Sequence, residues 1–523
     1  MKDIAVSKAN FEEIIKGNYV YVDKTEYLYK IVSKDTYYFL SRPRRFGKTL
    51  FLSTLEAFFQ GKRELFCDLY VYNQDWNWEE YPIVKLDFNE IENENREILS
   101  NRVAELLEDM AEEHGITLEW ERTPAKFNEL IKKLSKKYNK GVVFLADEYD
   151  KPIISHIGKG EKELHIAREN MKFMKTFYDN LKALEKYLKT VFITGVSKFS
   201  KVSIFSTLNN LIELDMLADY TGILGYTEKE IREYFGEHFK KLAFQLDISI
   251  EELFTEFKNM YNGFRFTKKD IKLYNPFSVG KALAHRELDN YWFESGTPSF
   301  LVDLIKEKQF DTTKLKGVEI GRDELKAYDM TKLQLIPMLF QTGYLTIEDI
   351  EDEIIYTLSY PNYEVETGFT LNLIKAFSEE KIKTPIIHRI KKSLVNKEFD
   401  KFADYMKSLF ARIANINIPR GVKEREHFYH TIFYLTAVLF SDNKLAVYSE
   451  LLTSEGRIDM VVETKDDIFI IEFKCDQSAQ KAIEQIEGRN YRDKYVVEEK
   501  EVIIMGINFD TERRNIAEIK VDV

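Results

Sequence analysis

The sequence predicts an α/β protein of several domains, and three observations support this fold class. The chain has 523 residues, of which 44% are hydrophobic, which is enough for about three cores of ordinary domain size. In the first 225 residues, nearly all-apolar strands alternate with amphipathic helices, as in a parallel sheet covered on both faces. The C-terminal third contains three short strands separated by polar turns, which predicts a second sheet.

The elements of the first region follow from its hydrophobic pattern. Apolar runs predict strands at 37–40, 83–88, 142–147 and 191–196. Between them, apolar residues recur every three or four positions, which predicts helices at 25–32, 90–114, 124–138 and 161–187. Ligands bind at the carboxyl ends of the strands in such sheets, so the residues that follow each strand are candidates for a binding site.

The loop after the first strand, Arg42-Pro-Arg-Arg-Phe-Gly-Lys-Thr49, leads directly into a helical run. A strand, a tight loop ending in Gly-Lys-Thr and a helix are the parts of a phosphate-binding loop. Lys48 would neutralise the β/γ-phosphate charge, and Thr49 would offer its hydroxyl to Mg²⁺. The usual pattern opens with glycine, but Arg42 stands at that position, so a chance Gly-Lys-Thr on a basic surface loop is the alternative.

A second acidic strand end favours nucleotide binding over that alternative. The apolar strand 142–147 ends in Asp147-Glu148. Asp147 would hold Mg²⁺, and Glu148 would orient and deprotonate the attacking water as a catalytic base. A buried strand that merely ends in a polar turn is the alternative for this pair. Together the two motifs predict that the chain binds ATP.

The end of the strand 191–196 adds further candidate residues to the predicted nucleotide site. Thr194 and Ser197 stand where such sheets bind ligands, and either could sense the γ-phosphate. A capping hydroxyl is the alternative for each. The predicted nucleotide-binding residues are Arg45, Phe46, Gly47, Lys48, Thr49, Asp147 and Thr194, with Thr49 and Asp147 as the metal ligands.

From residue 226 to 365 the pattern is mostly helical, which indicates a change of domain. The stretch 333–347 predicts a helix, a turn at Gly343 and a strand, the order found in a winged helix, and we interpret it as a packing module. A region that follows a nucleotide-binding core is expected to act as a lid. Arg265 is a candidate charge for the γ-phosphate, with a surface arginine as the alternative.

The region 366–523 is predicted to begin with a helical connector and to carry a second site. Because side chains alternate along a strand, Glu472 and Lys474 share a face, and Asp459 on the neighbouring strand can reach the same place. Two carboxylates and a backbone carbonyl suit Mg²⁺, and Lys474 would position or activate water beside a scissile phosphate. The alternative is a surface ion pair between Asp459 and Lys474 with Glu472 solvated, which contributes little to stability.

Other polar residues near these strands favour the site over the ion pair. Glu450 lies on the preceding strand, Glu426 starts the apolar helix 427–440, and Gln485 lies on the helix after Lys474. His427 and His430 are interpreted as helix-face or packing residues, because no third metal ligand has matching spacing.

Composition narrows the class of protein. The net charge of −12 argues against a protein that coats nucleic acid through global charge, although local basic clusters could still form a groove. Cys67 and Cys475 have no C-x-x-C partner, so neither a disulfide framework nor a thiolate zinc site is supported, and a cytoplasmic location is expected. The apolar run 428–440 is too short to span a bilayer, and no membrane partner is expected.

With both sites considered, the chain resembles the family of AAA-like ATPases fused to a C-terminal PD-(D/E)xK nuclease-superfamily domain, which is bacterial and largely uncharacterised. The resemblance covers nearly the whole chain. The motifs that carry it are Tyr21-Val-Asp-Lys-Thr25, Arg42-Pro-Arg-Arg-Phe-Gly-Lys-Thr49, Asp147-Glu-Tyr-Asp-Lys-Pro152, Tyr261-Asn-Gly263, Tyr274-Asn-Pro-Phe277, Glu294-Ser-Gly-Thr-Pro298 and Gly456-Arg-Ile-Asp459 with Glu472-Phe-Lys474. In that family, Arg-Pro-Arg-Arg-Phe-Gly-Lys is the usual form of the loop.

The resemblance implies a P-loop ATPase core over 1–225, a helical lid with a winged-helix-like part over 226–365, and a restriction-endonuclease-like α/β domain within 366–523. It implies ATPase roles for Lys48, Thr49, Asp147 and Glu148, with ATP and Mg²⁺ as cofactors. The nuclease-type roles that it implies fall on Glu426, Asp459, Glu472 and Lys474, with Asp459 and Glu472 binding Mg²⁺ or Mn²⁺.

Two functions stay open at this point. The first is an ATP-regulated, metal-dependent nuclease that acts on nucleic acid, with DNA favoured, in defence against foreign DNA. The second is a nucleotide-switched protein whose C-terminal domain binds nucleic acid or a protein partner without cleaving it. The intact set of Asp459, Glu472 and Lys474 favours the first, and a homo-oligomer is compatible with both.

Overall fold

The computed structural model describes residues 1–198, 204–205, 207–208, 210–292, 299–307, 310–326, 334–378, 384–413, 422–440, 445–453 and 456–522. The sequence motif at 294–298 and the first half of the turn predicted at 454–457 lie outside these ranges. The described chain forms two compact units. The first comprises Met1–Leu304 and Gly317–Val365, and the second comprises Ile305–Lys316 and Glu366–Val523.

The first unit is built on the five-stranded parallel sheet that the alternating pattern predicts. Its strands are β1 (Tyr37–Ser41), β2 (Ile83–Asp87), β3 (Val142–Asp147), β4 (Leu188–Gly195) and β5 (Ile212–Glu213). They pair in the order β2-β3-β4-β1-β5, with every neighbour parallel. The strand β4 therefore separates β1, which precedes the Gly-Lys-Thr loop, from β3, which ends in Asp147.

Helices cover the sheet because their apolar faces match its buried strands. The helices are α1 (Phe11–Lys16), α2 (Thr25–Val32), α3 (Lys48–Phe59), α4 (Arg96–Glu113), α5 (Thr123–Tyr138), α6 (Lys151–Ile154) and α7 (Glu161–Ala183). On α5, the ring of Phe127 packs against Phe144 of β3 and Phe177 of α7, with centroid distances of 5.2 and 4.6 Å. Such contacts fix the sheet and hence the loops at its carboxyl edge.

The rest of the first unit is mostly helical, as predicted from residue 226 onward. It contains α8 (Glu228–Leu246), α9 (Ile250–Tyr261), α10 (Pro276–His285), α11 (Ser299–Glu307, which runs into the second unit), α12 (Arg322–Lys326), α13 (Leu335–Gln341) and the start of α14 (Tyr363–Phe377). Capping boxes start α8 at Thr227 and α9 at Ser249. An antiparallel sheet of order β6-β8-β7 completes it, from β6 (Val318–Gly321), β7 (Thr346–Glu351) and β8 (Ile355–Ser359).

The helix, turn and strand predicted within 333–347 are present as α13, Gly343 and β7. Gly343 has a φ of 86°, and a Cβ atom there would lie 2.6 Å from Pro43 of the Gly-Lys-Thr loop. Glycine is required by both the backbone conformation and this close approach. The winged-helix description of the region stays a prediction.

The second unit contains a mixed sheet of order β13-β12-β11-β10-β9. Its strands are β9 (Ala446–Thr453), β10 (Gly456–Glu463), β11 (Asp467–Cys475), β12 (Glu501–Asp510) and β13 (Asn515–Asp522). The first three form the predicted antiparallel meander, whereas β11 and β12 are parallel. The helices are most of α14, then α15 (Thr384–Val395), α16 (Phe399–Phe410), α17 (Val422–Phe440) and α18 (Ala479–Gly488).

The helix α18 covers one face of this second sheet. Its Ile483 and Ile486 belong to one buried cluster with Ile468 and Ile470 of β11. Since β11 side chains alternate, Glu472 and Lys474 continue the same face beyond these isoleucines. Among the helices in the described ranges, none is both long enough and apolar enough to cross a membrane.

Candidate functional sites

The first candidate site is the Gly-Lys-Thr loop at the carboxyl end of β1. Arg45 and Gly47 have positive φ angles of 66° and 93°, which turn the chain sharply before α3 begins at Lys48. The backbone N–H groups at the start of α3 thus lie in the loop, where a helix terminus favours anions. Phe46 is 1% exposed and packs edge-on against Phe264 at a centroid distance of 4.8 Å. Its side chain therefore anchors the loop in the core, and only its backbone is part of the candidate phosphate site.

Four of the predicted residues meet at this edge of the sheet. The Nζ atom of Lys48 donates to the carbonyl oxygens of Arg42 (3.0 Å) and Pro43 (3.2 Å), and it lies 3.3 Å from Glu148 Oε1. Thr49 Oγ1 donates to Asp147 Oδ2 over 2.7 Å. The structure therefore brings the loop and both carboxylates of the acidic pair together.

Thr194 joins this group from the strand between them. It is fully buried at the end of β4, and its hydroxyl donates to Asp147 Oδ1. Ser197 does not share this position, because its hydroxyl donates to Asp150 Oδ2 over 2.8 Å. Of the two hydroxyls considered as phosphate sensors, only Thr194 contacts the acidic pair.

Asp150 is a residue of this site that the pattern did not single out. Its fully buried carboxylate accepts from the backbone N–H groups of Val196 and Ser197, over 3.1 and 2.6 Å. Burial, and then the charge of Glu148, raise the pKa of Asp150 to about 6. Asp150 thus connects the end of β4 to the turn after Glu148. Its place in the motif Asp147-Glu-Tyr-Asp150 could have indicated from the sequence that it belongs to this site.

Arg42, in the position of the usual glycine, is not on a surface loop. It is 2% exposed, its Nη1 donates to the carbonyl oxygens of Ser41 (3.0 Å) and Asp215 (3.1 Å), and its guanidinium lies 4.4 Å from the Phe266 ring centroid. The basic-surface-loop interpretation is therefore wrong for this residue. Arg42 anchors the start of the loop through buried contacts.

Arg265 does not have either of the roles considered for it. It is 7% exposed, and its guanidinium donates to the carbonyl oxygens of Thr267 (3.2 Å), Glu348 (3.3 Å) and Lys268 (2.8 Å). These bonds join it to its own turn and to β7. It is neither a surface arginine nor a charge free to reach a phosphate, so it is a structural residue.

A cavity of about 420 Å³ opens beside the loop. This volume is in the usual range for a small-molecule site. Its lining includes the cationic side chains of Lys8, Arg44, Arg45, Lys48 and Lys151 together with Thr49 and Glu148. A cavity with clustered cations at a helix N-terminus matches the charge of a nucleoside triphosphate, and the oxygens of Thr49 and Asp147 are of the kind that would bind Mg²⁺.

The second candidate site lies on β10, β11 and α18. Asp459 Oδ2 accepts from the Phe473 N–H over 2.9 Å, and Glu472 Oε1 lies 3.5 Å from Lys474 Nζ. Lys474 Nζ also donates to Gln485 Oε1 (2.9 Å), while Gln485 Nε2 donates to Glu472 Oε1. Glu472 is 2% exposed and paired with Lys474, so the interpretation as a surface pair between Asp459 and Lys474 is wrong.

The electrostatics of Glu472 are those of a site that fits a cation. Burial, and then the charge of Asp459, raise the pKa of Glu472 to about 8, against the opposing effect of Lys474. Its buried Oε2 has no hydrogen-bond partner in the described part of the chain. A buried carboxylate oxygen beside a second carboxylate suits a hard divalent cation, which would use that oxygen.

The protein ligands present do not fill a metal coordination shell. Within the ranges given above, no three or more His, Cys, Asp or Glu side chains are grouped as metal ligands. Asp459 and Glu472 would therefore need carbonyl, water or substrate oxygens in addition, which is usual for Mg²⁺.

Glu426 is less closely tied to this group than predicted. It is exposed near the start of α17, and its charge is the second cause, after burial, that raises the pKa of Cys475 at the end of β11 to about 12. No hydrogen bond or ion pair in the described ranges joins it to Asp459, Glu472 or Lys474. Glu450 instead pairs with Arg457 over 2.9 Å.

Both histidines of α17 contact other groups of the second unit, and their interpretation as helix-face or packing residues stays a prediction. His430 is 6% exposed, and its Nε2 lies 3.1 Å from the Asp459 carbonyl oxygen. Burial lowers the pKa of His430. His427 Nε2 lies 3.0 Å from Oδ2 of Asp311, a residue of the segment Ile305–Lys316 that belongs to the second unit.

Comparison with known proteins matches the two regions of the chain that carry these candidate sites. A family described as "Predicted AAA-ATPase" matches residues 5–205, and one described as "PD-(D/E)XK nuclease superfamily" matches residues 424–519. The chain is also 32% identical over 535 residues to "Uncharacterized protein in vnfD 5'region" of Azotobacter chroococcum mcd 1, with 100% of this chain and 99% of that protein covered. The similarity thus extends over both candidate sites.

Proposed function

The chain belongs to the family of AAA-like ATPases with a C-terminal PD-(D/E)XK nuclease-superfamily domain, and on that premise we propose that it hydrolyses ATP and cleaves nucleic acid with Mg²⁺. The observation that carries the nuclease proposal is the buried Glu472 oxygen without a partner, next to Asp459 and Lys474. DNA as the substrate and a role in defence against foreign DNA are further parts of this proposal. So are a cytoplasmic location, a homo-oligomer, and the division into 1–225, 226–365 and 366–523 that the sequence pattern predicts.

In the proposed ATPase site, each residue has a role that its position supports. Lys48 and the first N–H groups of α3 bind the β- and γ-phosphates, and Thr49 with Asp147 holds the metal ion. That ion, when bound, would polarise the phosphate oxygens. Glu148 orients the attacking water and accepts its proton. Thr194 holds Asp147 in place through its hydroxyl.

In the proposed nuclease site, Asp459 and Glu472 hold a divalent cation that would act as a Lewis acid on the scissile phosphate. Mn²⁺ could replace Mg²⁺, since carboxylate and water ligands suit both. Lys474 holds the attacking water or stabilises charge that develops on the phosphate. Gln485 fixes both Glu472 and Lys474, because its amide contacts each of them.

A nuclease assay tests the proposal directly. Full-length protein is incubated with linear, circular and single-stranded DNA and with RNA, in Mg²⁺ or Mn²⁺, with and without ATP. We expect metal-dependent cleavage of at least one substrate by the wild-type chain and none by Asp459→Asn. If the wild-type protein cleaves nothing under any of these conditions, the nuclease proposal fails.

The second candidate function is binding without cleavage, and one observation favours it. Within the described residues, no third His, Cys, Asp or Glu side chain joins Asp459 and Glu472 as a metal ligand, so the protein itself supplies few ligands for a catalytic cation. Under this alternative, ATP would alter affinity for nucleic acid while the second unit cleaves nothing. Comparing the DNA affinity of Asp459→Asn without nucleotide, with ADP and with a non-hydrolysable ATP analogue tests it, because a nucleotide-switched binder must show different affinities.

A further inference from the structure

Arg489 is a cation beside the second site to which the proposed mechanism gives no role. It caps the carboxyl end of α18, and its backbone N–H donates to the Gln485 carbonyl over 3.1 Å. Residues four apart on a helix share a face, so Arg489 follows Gln485 about one turn, or ~5.4 Å, further along the helix. Because Gln485 contacts Glu472 and Lys474, Arg489 stands next to the candidate metal site.

The guanidinium of Arg489 is held from one side by the core. Its Nη1 donates to Tyr491 Oη over 3.0 Å, and that hydroxyl donates to the Arg457 carbonyl oxygen over 2.8 Å. Tyr491 is 1% exposed and packs with Ile458 and Ile486. A buried tyrosine therefore orients an exposed arginine, which lowers the entropy that a ligand contact would cost.

Gly456, the first residue of β10, leaves the space that the guanidinium occupies. It has a φ of 150°, and a Cβ atom there would lie 2.7 Å from Arg489 Nη1 and 3.1 Å from Tyr491 Oη. A larger residue would displace the guanidinium. Gly456 lies three residues before Asp459. The strand β10 therefore carries both a carboxylate of the candidate metal site and the glycine against which the Arg489 guanidinium lies.

Arg489 keeps most of its hydrogen-bonding capacity. An arginine side chain has about five N–H donors. Among the described residues, Tyr491 accepts a hydrogen bond from one of them, on Nη1. Within the described ranges no carboxylate lies within 4.0 Å of it. The contact with Tyr491 and, to a smaller extent, the charges of Glu472 and Asp459 raise the pKa of Arg489, which indicates that the two carboxylates act on it through space.

We propose that Arg489 binds a backbone phosphate of the nucleic-acid strand, next to the phosphate that Asp459, Glu472 and Lys474 act on. This inference deepens the proposed nuclease function and rests on it. A guanidinium matches the geometry of phosphate oxygens and can bind two of them. A phosphate contact fixes the register of the strand and contributes affinity without sequence preference.

Salt-dependent binding tests this assignment. We would measure the affinity of full-length Asp459→Asn for a short labelled duplex and for a single strand at several salt concentrations, and repeat it with Arg489→Ala added. We expect binding to weaken about 5- to 10-fold at low salt and the slope of log K against log[salt] to fall by about 1. The loss should be the same for unrelated sequences.

Three further variants make the outcome specific. Arg513→Ala is the matched control, because Arg513 is an exposed arginine of the same unit whose side chain is 86% accessible and pairs with Asp510. It should change neither affinity nor slope. Arg489→Lys should keep part of the affinity, and Gly456→Ala should reproduce the loss because it displaces the guanidinium. If Arg489→Ala does not fold, these last two still decide the question.

The outcomes separate this inference from the function on which it rests. If the wild-type protein cleaves neither DNA nor RNA and the Asp459→Asn protein binds neither, the proposed nuclease function is overturned and this inference with it. If that protein binds, but the Arg489 and Gly456 variants leave affinity and salt slope unchanged, only the role of Arg489 is overturned.

Discussion

Lys48 Nζ lies 3.3 Å from Glu148 Oε1, so the cation expected to bind phosphates is paired with the carboxylate expected to activate water. Lys48 is nearly inaccessible, and the Glu148 side chain is 16% exposed, so this pair is only weakly screened by solvent. A bound γ-phosphate would compete with Glu148 for Lys48. Release of Glu148 would then coincide with arrival of the substrate.

The first prediction concerns the affinity for ATP. Lys48→Ala removes the buried lysine of the loop, and we expect the affinity to fall at least 100-fold, which is about 3 kcal/mol. Isothermal titration calorimetry measures this directly. Lys30→Ala, which removes a partly exposed lysine of α2 paired with Glu26, serves as the control and should bind ATP normally. Equal affinities for the wild type and Lys48→Ala would exclude the loop as the phosphate site.

The second prediction separates binding from hydrolysis. Glu148→Gln keeps the size of the side chain but cannot accept a proton from water, so we expect ATP to bind with turnover reduced by about 10²- to 10⁴-fold. Phosphate release after ATP addition provides the rate, and titration of the same protein provides the affinity. A variant that hydrolyses ATP at the wild-type rate would show that another group is the base.

The third prediction distinguishes the metal-binding role of Asp459 and Glu472 from the role of Lys474 in cleavage. Asp459→Asn keeps an acceptor for the Phe473 N–H but loses its charge, and Glu472→Gln loses the second anionic ligand. Both should weaken Mn²⁺ binding and cleavage together, by about 10-fold or more. Lys474→Ala should lower cleavage while Mn²⁺ still binds, because it removes the charge beside the phosphate.

Paramagnetic titration of Mn²⁺ measures the metal affinities for that comparison. Glu463→Gln, at the other end of β10 and paired with Lys500 in the wild type, is the matched control. Should Lys474→Ala abolish metal binding as completely as Asp459→Asn, the assigned division of roles is wrong.

The fourth prediction concerns Glu364, a fully buried carboxylate of the first unit that accepts from the N–H groups of Tyr291 (2.7 Å) and Trp292 (2.8 Å). Burial raises the pKa of Glu364 from 4.5 to about 7. A folded-state pKa above the unfolded value means that the contribution to stability is largest below pH 4.5 and is lost as the pH rises toward 7.

Glu364→Gln removes that titration while it keeps an oxygen acceptor. Relative to the wild type, the variant should gain stability between pH 4.5 and 7, by up to about 3 kcal/mol, with no further gain above. Thermal unfolding of both proteins across this range tests the sign. Parallel stability profiles would show that Glu364 does not titrate as described. Glu353→Gln, which alters an exposed residue, is the control.

Local patterns could predict the sheets and the groups at their edges. The strands β1, β3 and β4 are apolar over most of their length, and Asp147 is the last residue of β3, so their arrangement follows from parallel-sheet geometry. The position of Glu472 and Lys474 on one face of β11 could be predicted as well, because side chains alternate along a strand. The strand β12 was not predicted, although the run 502–505 is apolar enough to have indicated it.

Contacts between distant parts of the chain could not be predicted in this way. Arg42 is buried because Asp215 and Phe266 lie beside it, and neither is near it in sequence. Arg265 is buried by β7 for the same reason. Periodicity describes one element at a time, whereas burial of a charged residue depends on which elements meet. The same limit applies to Tyr491 and Gly456, which lie against one side of the Arg489 guanidinium.

The segment Ile305–Lys316 belongs to the second unit although most of that unit begins at Glu366. During synthesis on a ribosome, this segment emerges before the rest of its unit, with Gly317–Val365 of the first unit made in between. The segment Ile305–Lys316 must therefore wait for residues 366–523 to be made before it can join the rest of its unit. A protein that began at residue 366 would lack Asp311, the ion partner of His427 on the helix that also carries Glu426.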